Sequence, residues 1–176
     1  MSVYATFSTA SRMDLGKLEQ ADVMCFDDCW TKDQWEEIVK ANMVRLVYSS
    51  FGLVGFWCAR VSEPDNPDAV HDVEIIKIGV MPKHRGQGLS RAILRDIRSW
   101  LQTDFVDSSE FKVTMLVPDC LLLPSWPSFI GKWLGHVGFK ANKENMLVEF
   151  PHAFYGVKFQ HAVRFDFPRL PGVYGL

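Results

Sequence analysis

The sequence is poor in cysteine, lacks any long apolar run and carries almost no net charge. Its four cysteines in 176 residues include no Cys-x-x-Cys pair, so we expect a reduced, cytoplasmic protein rather than a disulfide scaffold. No apolar run approaches the roughly 20 residues of a membrane span, and the first residues lack the basic region and apolar core of a signal peptide. A net charge of −2 and a pI near 6.2 argue against a dedicated nucleic-acid binder.

What is present is typical of a soluble globular protein. The chain is 48% hydrophobic and 23% charged, which is enough apolar material for a full core. It contains no internal repeat, low-complexity tract or Gly/Ser linker. Because most domains contain about 100–200 residues, we predict a single domain over 1–176.

The spacing of apolar residues predicts a mixture of strands and helices in the order β, α, α, β, β, β, α, β, α, β, β. Two helix starts carry capping pairs, Ser11 with Asp14 and Thr31 with Gln34. The predicted helices cover about 11–26, 31–39, 89–102 and 129–137, and the predicted strands cover about 2–8, 43–49, 53–61, 73–80, 111–117, 145–150 and 157–167. This order predicts an α/β fold, a mixed central β-sheet flanked by helices.

The most informative segment runs from Val80 to Arg91, where a strand ends, a glycine-bearing loop turns and a helix begins at once. Backbone N–H groups at a helix start are unpaired and favour anions, so such a loop can bind a phosphate or pyrophosphate. The small residues are Gly86, Gly88 and Ser90, and the nearby cations are Arg85, Arg91 and Arg95. The plain alternative is a turn that needs glycine only for its backbone angles. The loop lacks the third glycine of the dinucleotide fingerprint and the Gly-Lys-Ser/Thr of a P-loop.

The run Arg85-Gly86-Gln87-Gly88-Leu89-Ser90 resembles the acyl-CoA loop of the GNAT superfamily of N-acetyltransferases, whose pattern is Gln/Arg-x-x-Gly-x-Gly/Ala. Arg85 and Gly88 match this pattern, and Ser90 replaces the usual Gly or Ala. The element order resembles the GNAT order over nearly the whole chain, and residues 134–139 resemble the family's later helix, which closes in a Gly-Phe pair. The resemblance implies a GNAT fold and transfer of an acetyl group from acetyl-CoA to a primary amine.

The resemblance also implies roles for individual residues. The loop residues Arg85, Gly86, Gln87, Gly88, Leu89, Ser90 and Arg91 would hold the pyrophosphate, and Val80 and Met81 would hold the pantetheine arm. The backbone N–H of Val80 is a candidate donor to the oxyanion. Glu74, six residues earlier, matches the glutamate that acts as general base in the histone-acetyltransferase branch. The alternatives are a solvated Glu74, an ion pair of Glu74 with Lys77, or His71 or Asp72 as the base.

The general acid of many family members has no counterpart at the expected position. Those proteins place a tyrosine four residues before the Gly of the Gly-Phe pair, and this chain has Leu134 there. Tyr155, Tyr174 or Cys120 are candidate substitutes without a spacing argument. The thiol of CoA has a pKa comparable to that of cysteine, about 8.5, so its thiolate can leave with little acid help. Leu134 keeps open a second hypothesis, a GNAT-fold CoA-binding or protein-interaction module without turnover. A third is an α/β protein that binds another nucleotide.

Charge is distributed unevenly along the chain. Residues 1–76 carry 13 acidic and 6 basic side chains, and residues 77–176 carry 8 acidic and 13 basic side chains. In the GNAT fold the acidic half borders the acceptor groove, so the acceptor is predicted to be a cationic amine of a peptide or protein, slightly favoured over a small molecule such as a polyamine. The acidic residues concerned are Asp27, Asp28, Glu36, Glu37, Glu63, Asp65 and Asp68. Ordinary solvated faces are the alternative. We predict no metal, nucleic-acid or membrane partner, and the sequence leaves a homodimer open.

Overall fold

The computed structural model describes residues 4–27, 29–41, 43–62, 71–104, 111–118, 140–141, 148–149 and 161–167. The chain divides into two compact units. The first is formed by Met1–Arg60 and Ile75–Gln102, and the second by Val61–Glu74 and Thr103–Leu176. A single domain over 1–176 stays a prediction.

The first unit contains most of the helical part of the described chain. Its elements, some of which run slightly past its bounds, are β1 (Thr6–Thr9), α1 (Leu15–Cys25), α2 (Lys32–Ala41), β2 (Met43–Ser49), β3 (Gly52–Ser62), β4 (His71–Val80) and α3 (Leu89–Asp104). The strands lie in the order β1-β2-β3-β4. β2 runs antiparallel to both β1 and β3, and its register against β3 is shifted between Val47 and Tyr48. Of the helices described, none is long and apolar enough to cross a membrane.

Four strands of the second unit are described. They are β5 (Phe111–Pro118), β6 (Lys140–Ala141), β7 (Val148–Glu149) and β8 (His161–Phe167). β8 pairs antiparallel with the other three. β7 and β8 fall within predicted strands, and β5 runs one residue past the predicted strand 111–117. The two-residue β6 was not predicted because so short a segment has no periodicity. The predicted helix at 129–137 lies outside the described residues.

Both predicted helix caps are present. The Ser11 N–H donates to Asp14 Oδ2 at 3.0 Å, and the Met13 N–H donates to Ser11 Oγ at 3.3 Å. This capping box opens a single 3-10 turn, Arg12–Asp14, that leads into α1. At the start of α2, the Gln34 N–H donates to Thr31 Oγ1 at 3.3 Å and the Thr31 N–H donates to Gln34 Oε1 at 2.9 Å. Local hydrogen bonding therefore sets both helix starts.

Helices cover both faces of the first unit's sheet. Phe56 and Trp57 are neighbours on β3, so their side chains point to opposite faces. The Phe56 ring packs edge-on against Trp35 of α2, with centroids 5.3 Å apart, and the Trp57 ring lies 5.5 Å from Trp100 of α3. α2 and α3 therefore pack on opposite faces, and the core consists largely of aromatic and branched side chains between each helix and the sheet.

A polar contact fixes α3 on its face of the sheet. Asp96 of α3 accepts hydrogen bonds from Arg45 Nη2 at 3.0 Å and from Trp57 Nε1 at 2.9 Å. Burial raises the pKa of the Asp96 carboxyl above its ordinary value, and the hydrogen bond from Trp57 and the charge of Arg45 oppose that rise. Because these partners lie on β2 and β3, the contact sets the position of the helix whose N-terminus follows the glycine loop.

Candidate functional site

The loop between β4 and α3 begins with a single 3-10 turn, Pro82–His84. The His84 N–H donates to Met81 O at 2.9 Å, and the Arg85 N–H donates to Pro82 O at 3.3 Å. Proline is well suited to the first position of such a turn because it has a fixed φ and no N–H to leave unpaired. The chain therefore reverses directly after the end of β4.

Two glycines give the rest of the loop its shape. Gly86 has φ +76° and Gly88 has φ +81°, a region that residues with a Cβ rarely adopt. Apart from the glycine itself and its two chain neighbours, no heavy atom lies within 4 Å of the Cβ that either position would gain, so backbone conformation rather than crowding requires glycine here. The space beside both glycines is open to a ligand.

The start of α3 supplies backbone donors. The Ala92 N–H donates to Gly88 O at 3.1 Å, and this is the first hydrogen bond of the helix. The N–H groups of Leu89, Ser90 and Arg91 precede it and have no acceptor within the helix. The Leu89 side chain is buried and anchors the helix start, while Ser90 is half-buried and Arg91 is exposed. The donors, the helix dipole and an exposed cation suit a phosphate or pyrophosphate, so these residues fit acyl-CoA.

Arg85 makes contacts within the protein that its sequence position did not reveal. Its Nε donates to Val80 O at 3.0 Å, and its Nη2 donates to Cys25 O at 3.3 Å, at the end of α1. Burial raises the pKa of the Cys25 thiol to about 11, against a smaller opposing effect of the Arg85 charge. The Cys25 thiol is therefore protonated at neutral pH and is a poor nucleophile.

The other predicted loop and strand residues are also placed. Gln87 Nε2 donates to Lys83 O at 3.4 Å, a contact within the loop. The side chains of Val80 and Met81 are buried. The Met81 N–H donates to Val54 O of β3 at 2.9 Å, so that N–H is already used inside the protein. A pantetheine contact at this position would use other atoms of Val80 and Met81.

Glu74 lies half-buried on β4, the strand that leads to the loop. One alternative role predicted for Glu74 is an ion pair with Lys77. In the structure Lys77 Nζ lies 2.6 Å from Oδ1 of Asp22, a residue of α1 whose side chain is fully buried. Residues 74 and 77 are an odd number of positions apart, so regular alternation directs their side chains to opposite faces of the strand.

Sequence reasoning missed Asp22. Its carboxylate accepts hydrogen bonds from the Trp30 N–H at 2.7 Å and from Trp35 Nε1 at 3.2 Å. A signal existed, because Leu15, Leu18 and Asp22 follow the three- and four-residue spacing of a buried helix face. An acidic residue on such a face indicates a buried partner of opposite charge.

Some predicted features lie outside the described residues. They include Leu134, the Gly138-Phe139 pair, Tyr155, Tyr174 and Cys120. His71 and Asp72 are placed on β4 by their backbone. Within the part of the chain that is described, no three His, Cys, Asp or Glu side chains are grouped in a way that could hold a metal ion. In the described part of the chain, Cys25 and Cys29 are free thiols and Cys58 is buried.

Comparison with known proteins identifies the class to which this fold and loop belong. Residues 15–113, more than half of the chain, match the sequence model of the Acetyltransferase (GNAT) family. The chain therefore belongs to the GNAT acetyltransferase family. This match confirms the family, the α/β fold class and the acyltransferase class predicted from the sequence. A search of curated protein sequences returns no match.

Solved structures agree on the fold. Naa50 of Arabidopsis thaliana, in complex with the bisubstrate analogue CoA-Ac-MVNAL, has a TM-score of 0.69 at 13% identity, covering 93% of this chain and 98% of that chain. The ribosomal-protein-S18-alanine N-acetyltransferase of Escherichia coli has a TM-score of 0.68 at 15% identity, covering 98% of this chain and 99% of that chain. A chimera of the Vibrio cholerae spermidine N-acetyltransferase SpeG with hSSAT has a TM-score of 0.62 at 17% identity, covering 93% and 94%.

We expect replacement of Gly88 by alanine to lower the affinity for CoA about tenfold and to destabilise the protein by about 1–2 kcal/mol. Alanine must either strain a positive φ or change the loop. Isothermal titration with CoA and thermal unfolding measure the two effects.

Gly16 in α1 provides a matched control, because its added Cβ also meets no atom within 4 Å and its φ is not positive. Gly16→Ala should leave CoA affinity unchanged and stabilise the helix by about 0.5–1 kcal/mol. Equal behaviour of the two variants would contradict a conformational role for Gly88.

Proposed function

We propose that this chain is an acetyl-CoA-dependent N-acetyltransferase that acetylates a primary amine. The observation that carries the proposal is the loop with positive φ at Gly86 and Gly88, followed directly by the unpaired N–H groups of α3. In this proposal the N–H groups of residues 86–91 bind the pyrophosphate, and the exposed Arg91 adds positive charge. The end of β4 at Val80 and Met81 binds the pantetheine arm.

The co-substrate supplies an acetyl group activated as a thioester, and the chain's residues hold the reacting groups and move a proton. An amine with a pKa near 10.4 is mostly protonated at neutral pH, so it must lose a proton before it can attack. Glu74 is the proposed acceptor of that proton. The Val80 N–H is the proposed donor to the thioester oxygen while negative charge develops there. Attack forms the C–N bond and breaks the C–S bond. The sulfur leaves as thiolate, and the second proton that the nitrogen loses on becoming an amide goes to the thiolate or to water.

The spacing along β4 restricts how Glu74 acts. At about 3.3 Å per residue, the six residues from Glu74 to Val80 span about 20 Å of extended strand. A base and a donor that both touch the same reacting atoms must each lie within about 3 Å of them. Glu74 and Val80 therefore take part together only if the proton reaches Glu74 through water molecules.

The proposed acceptor is a cationic amine of a peptide, a protein or a polyamine. Structures similar to this chain include one bound to a peptide-containing analogue, one named for an alanine of a ribosomal protein and one named for spermidine. The exposed Asp27 and the acidic α2 residues Glu36 and Glu37 offer negative charge to a cation. Glu36 also forms an ion pair with Arg12 at 3.3 Å, which reduces the negative charge that Glu36 offers to the acceptor.

Thermal unfolding with and without acetyl-CoA, CoA and NAD is the first test. A ligand present at about 100 times its Kd adds about 2.7 kcal/mol, which corresponds to about 5–10 °C for a chain of this size. We expect a rise in Tm with acetyl-CoA and CoA and none with NAD. A rise with NAD alone would favour a different nucleotide, and no rise with any ligand would remove the proposal.

A second candidate function, a CoA-binding or interaction module without turnover, is favoured by Leu134 at the position of the usual tyrosine. Release of CoA thiol from acetyl-CoA separates the two candidates. The assay uses three amines: a peptide with a free N-terminus, an N-terminally blocked peptide with one lysine, and spermidine. Thiol release above the amine-free rate supports the enzyme. CoA binding without release from any amine supports the module.

A further inference from the structure

The peptide group between Val80 and Met81 is held from both ends. Its carbonyl oxygen accepts a hydrogen bond from Arg85 Nε at 3.0 Å. Its N–H, that of Met81, donates to Val54 O at 2.9 Å. Two bonds on opposite sides of one planar group restrict its rotation, so this peptide at the end of β4 has a defined orientation.

The 3-10 turn makes the Arg85 contact possible. The bonds from the His84 and Arg85 N–H groups wind the chain back towards the end of β4. Because of this turn, the Arg85 side chain reaches the Val80 carbonyl although the two residues are five positions apart. The next residue, Gly86, begins the positive-φ part of the loop. A displacement of Arg85 is thus passed directly to the backbone of the glycine loop.

The same guanidinium also reaches α1. Its Nη2 donates to Cys25 O at 3.3 Å, at the C-terminal residue of that helix. Carbonyls in the last turn of a helix lack intrahelical partners and favour a cation. One planar group with several fixed donors can serve two carbonyls in different directions, whereas a lysine ammonium is a single compact charge. This use of Arg85 depends on its shape as well as its charge.

We infer that Arg85 is a positioning residue for the acyl-CoA loop, which holds the Val80–Met81 peptide and the end of α1, and is not a direct phosphate ligand. The inference rests on the proposed function, because it concerns how that loop is kept ready for CoA. Arg85 and Arg91 are both exposed, but the guanidinium of Arg85 donates to two backbone carbonyls, so Arg91 at the helix start remains the candidate phosphate contact.

The first arm of the test compares Arg85→Lys with Arg85→Gln. The positioning role predicts that both variants weaken CoA binding about tenfold, because neither side chain bridges the two carbonyls. It also predicts that the dependence of log Kd on log salt stays as in the unaltered protein, since no charge contact with phosphate is lost. Arg98, exposed on α3, provides the matched control, and Arg98→Lys and Arg98→Gln should leave the affinity unchanged.

The second arm uses amide hydrogen exchange in the absence of ligand. The Met81 N–H and the Phe26 N–H, which donates to Asp22 O at 2.9 Å, lie beside the two carbonyls that Arg85 holds. Both amides should exchange faster in Arg85→Lys and Arg85→Gln. The Ala10 N–H, which donates to Val44 O at 2.8 Å, should exchange as before. A general loss of stability would speed all three amides and would contradict a local role.

Retention of near-normal CoA affinity in Arg85→Lys, with a reduced salt dependence only in Arg85→Gln, would overturn the inference and make Arg85 a phosphate ligand. Unchanged exchange at Met81 and Phe26 would also overturn it. If the unaltered protein does not bind CoA at all, the proposed function fails, and the exchange arm still decides whether Arg85 positions the loop.

Discussion

Replacement of Asp22 by asparagine is expected to lower the free energy of unfolding by about 3–5 kcal/mol, or about 10 °C in Tm. Asparagine keeps an oxygen for the Trp30 and Trp35 donors, which use Oδ2, but it removes the negative charge and places an NH2 donor where Oδ1 accepts from Lys77. The Lys77 ammonium then loses its carboxylate partner at 2.6 Å in a site where its side chain is only 10% exposed. Chemical denaturation followed by tryptophan fluorescence measures the loss.

Two further variants make the expected destabilisation specific to the ion pair. Asp27→Asn makes the same change of charge at an exposed position two residues beyond α1 and should change stability by less than about 0.5 kcal/mol. The double variant Asp22→Asn/Lys77→Met removes both charges. Its methionine would lie near the rings of Phe26 and Trp30, now 4.6 and 4.4 Å from Lys77 Nζ. The double variant should regain much of the lost stability. If Asp22→Asn behaved like Asp27→Asn, the pair would contribute nothing measurable.

Replacement of Glu74 by glutamine is expected to lower kcat about 10²- to 10⁴-fold while the Kd for acetyl-CoA stays unchanged. Glutamine has nearly the same shape as glutamate and cannot accept the proton. The measurement is thiol release with the amine that gives the highest rate, over a range of pH. Without the base, only amine that has already lost its proton to solvent can attack, so the rate of the variant should depend more steeply on pH than that of the unaltered protein.

The neighbouring residues on β4 provide controls for Glu74. His71→Gln and Asp72→Asn are expected to keep most of the activity, because the proposal assigns the base to Glu74. Loss of turnover in one of these variants, with normal turnover in Glu74→Gln, would move the general base to that residue. If all three variants turned over as fast as the unaltered protein, the amine would lose its proton to solvent.

Features that depend on neighbouring residues were predictable from the sequence. The glycine loop, the helix start after it and the capping pair Ser11–Asp14 all lie within a few positions of chain. Turn geometry and helix capping are local properties, so residue type and spacing are enough to indicate them. The same holds for the strand Met43–Ser49, whose bounds were predicted correctly, and for the family motif itself.

Features that depend on distant residues were decided by tertiary structure. Arg85 is 60 positions from the Cys25 carbonyl it contacts, and Asp96 is 51 positions from Arg45. The sequence showed only that Arg85 is a cation beside a loop, whereas the structure shows that its guanidinium donates to two backbone carbonyls. Likewise, the sequence placed Asp22 on a helix but did not indicate that Lys77 is its ion-pair partner. Buried polar groups find their partners where packing brings distant elements together, so a local sequence pattern does not indicate which residue the partner is.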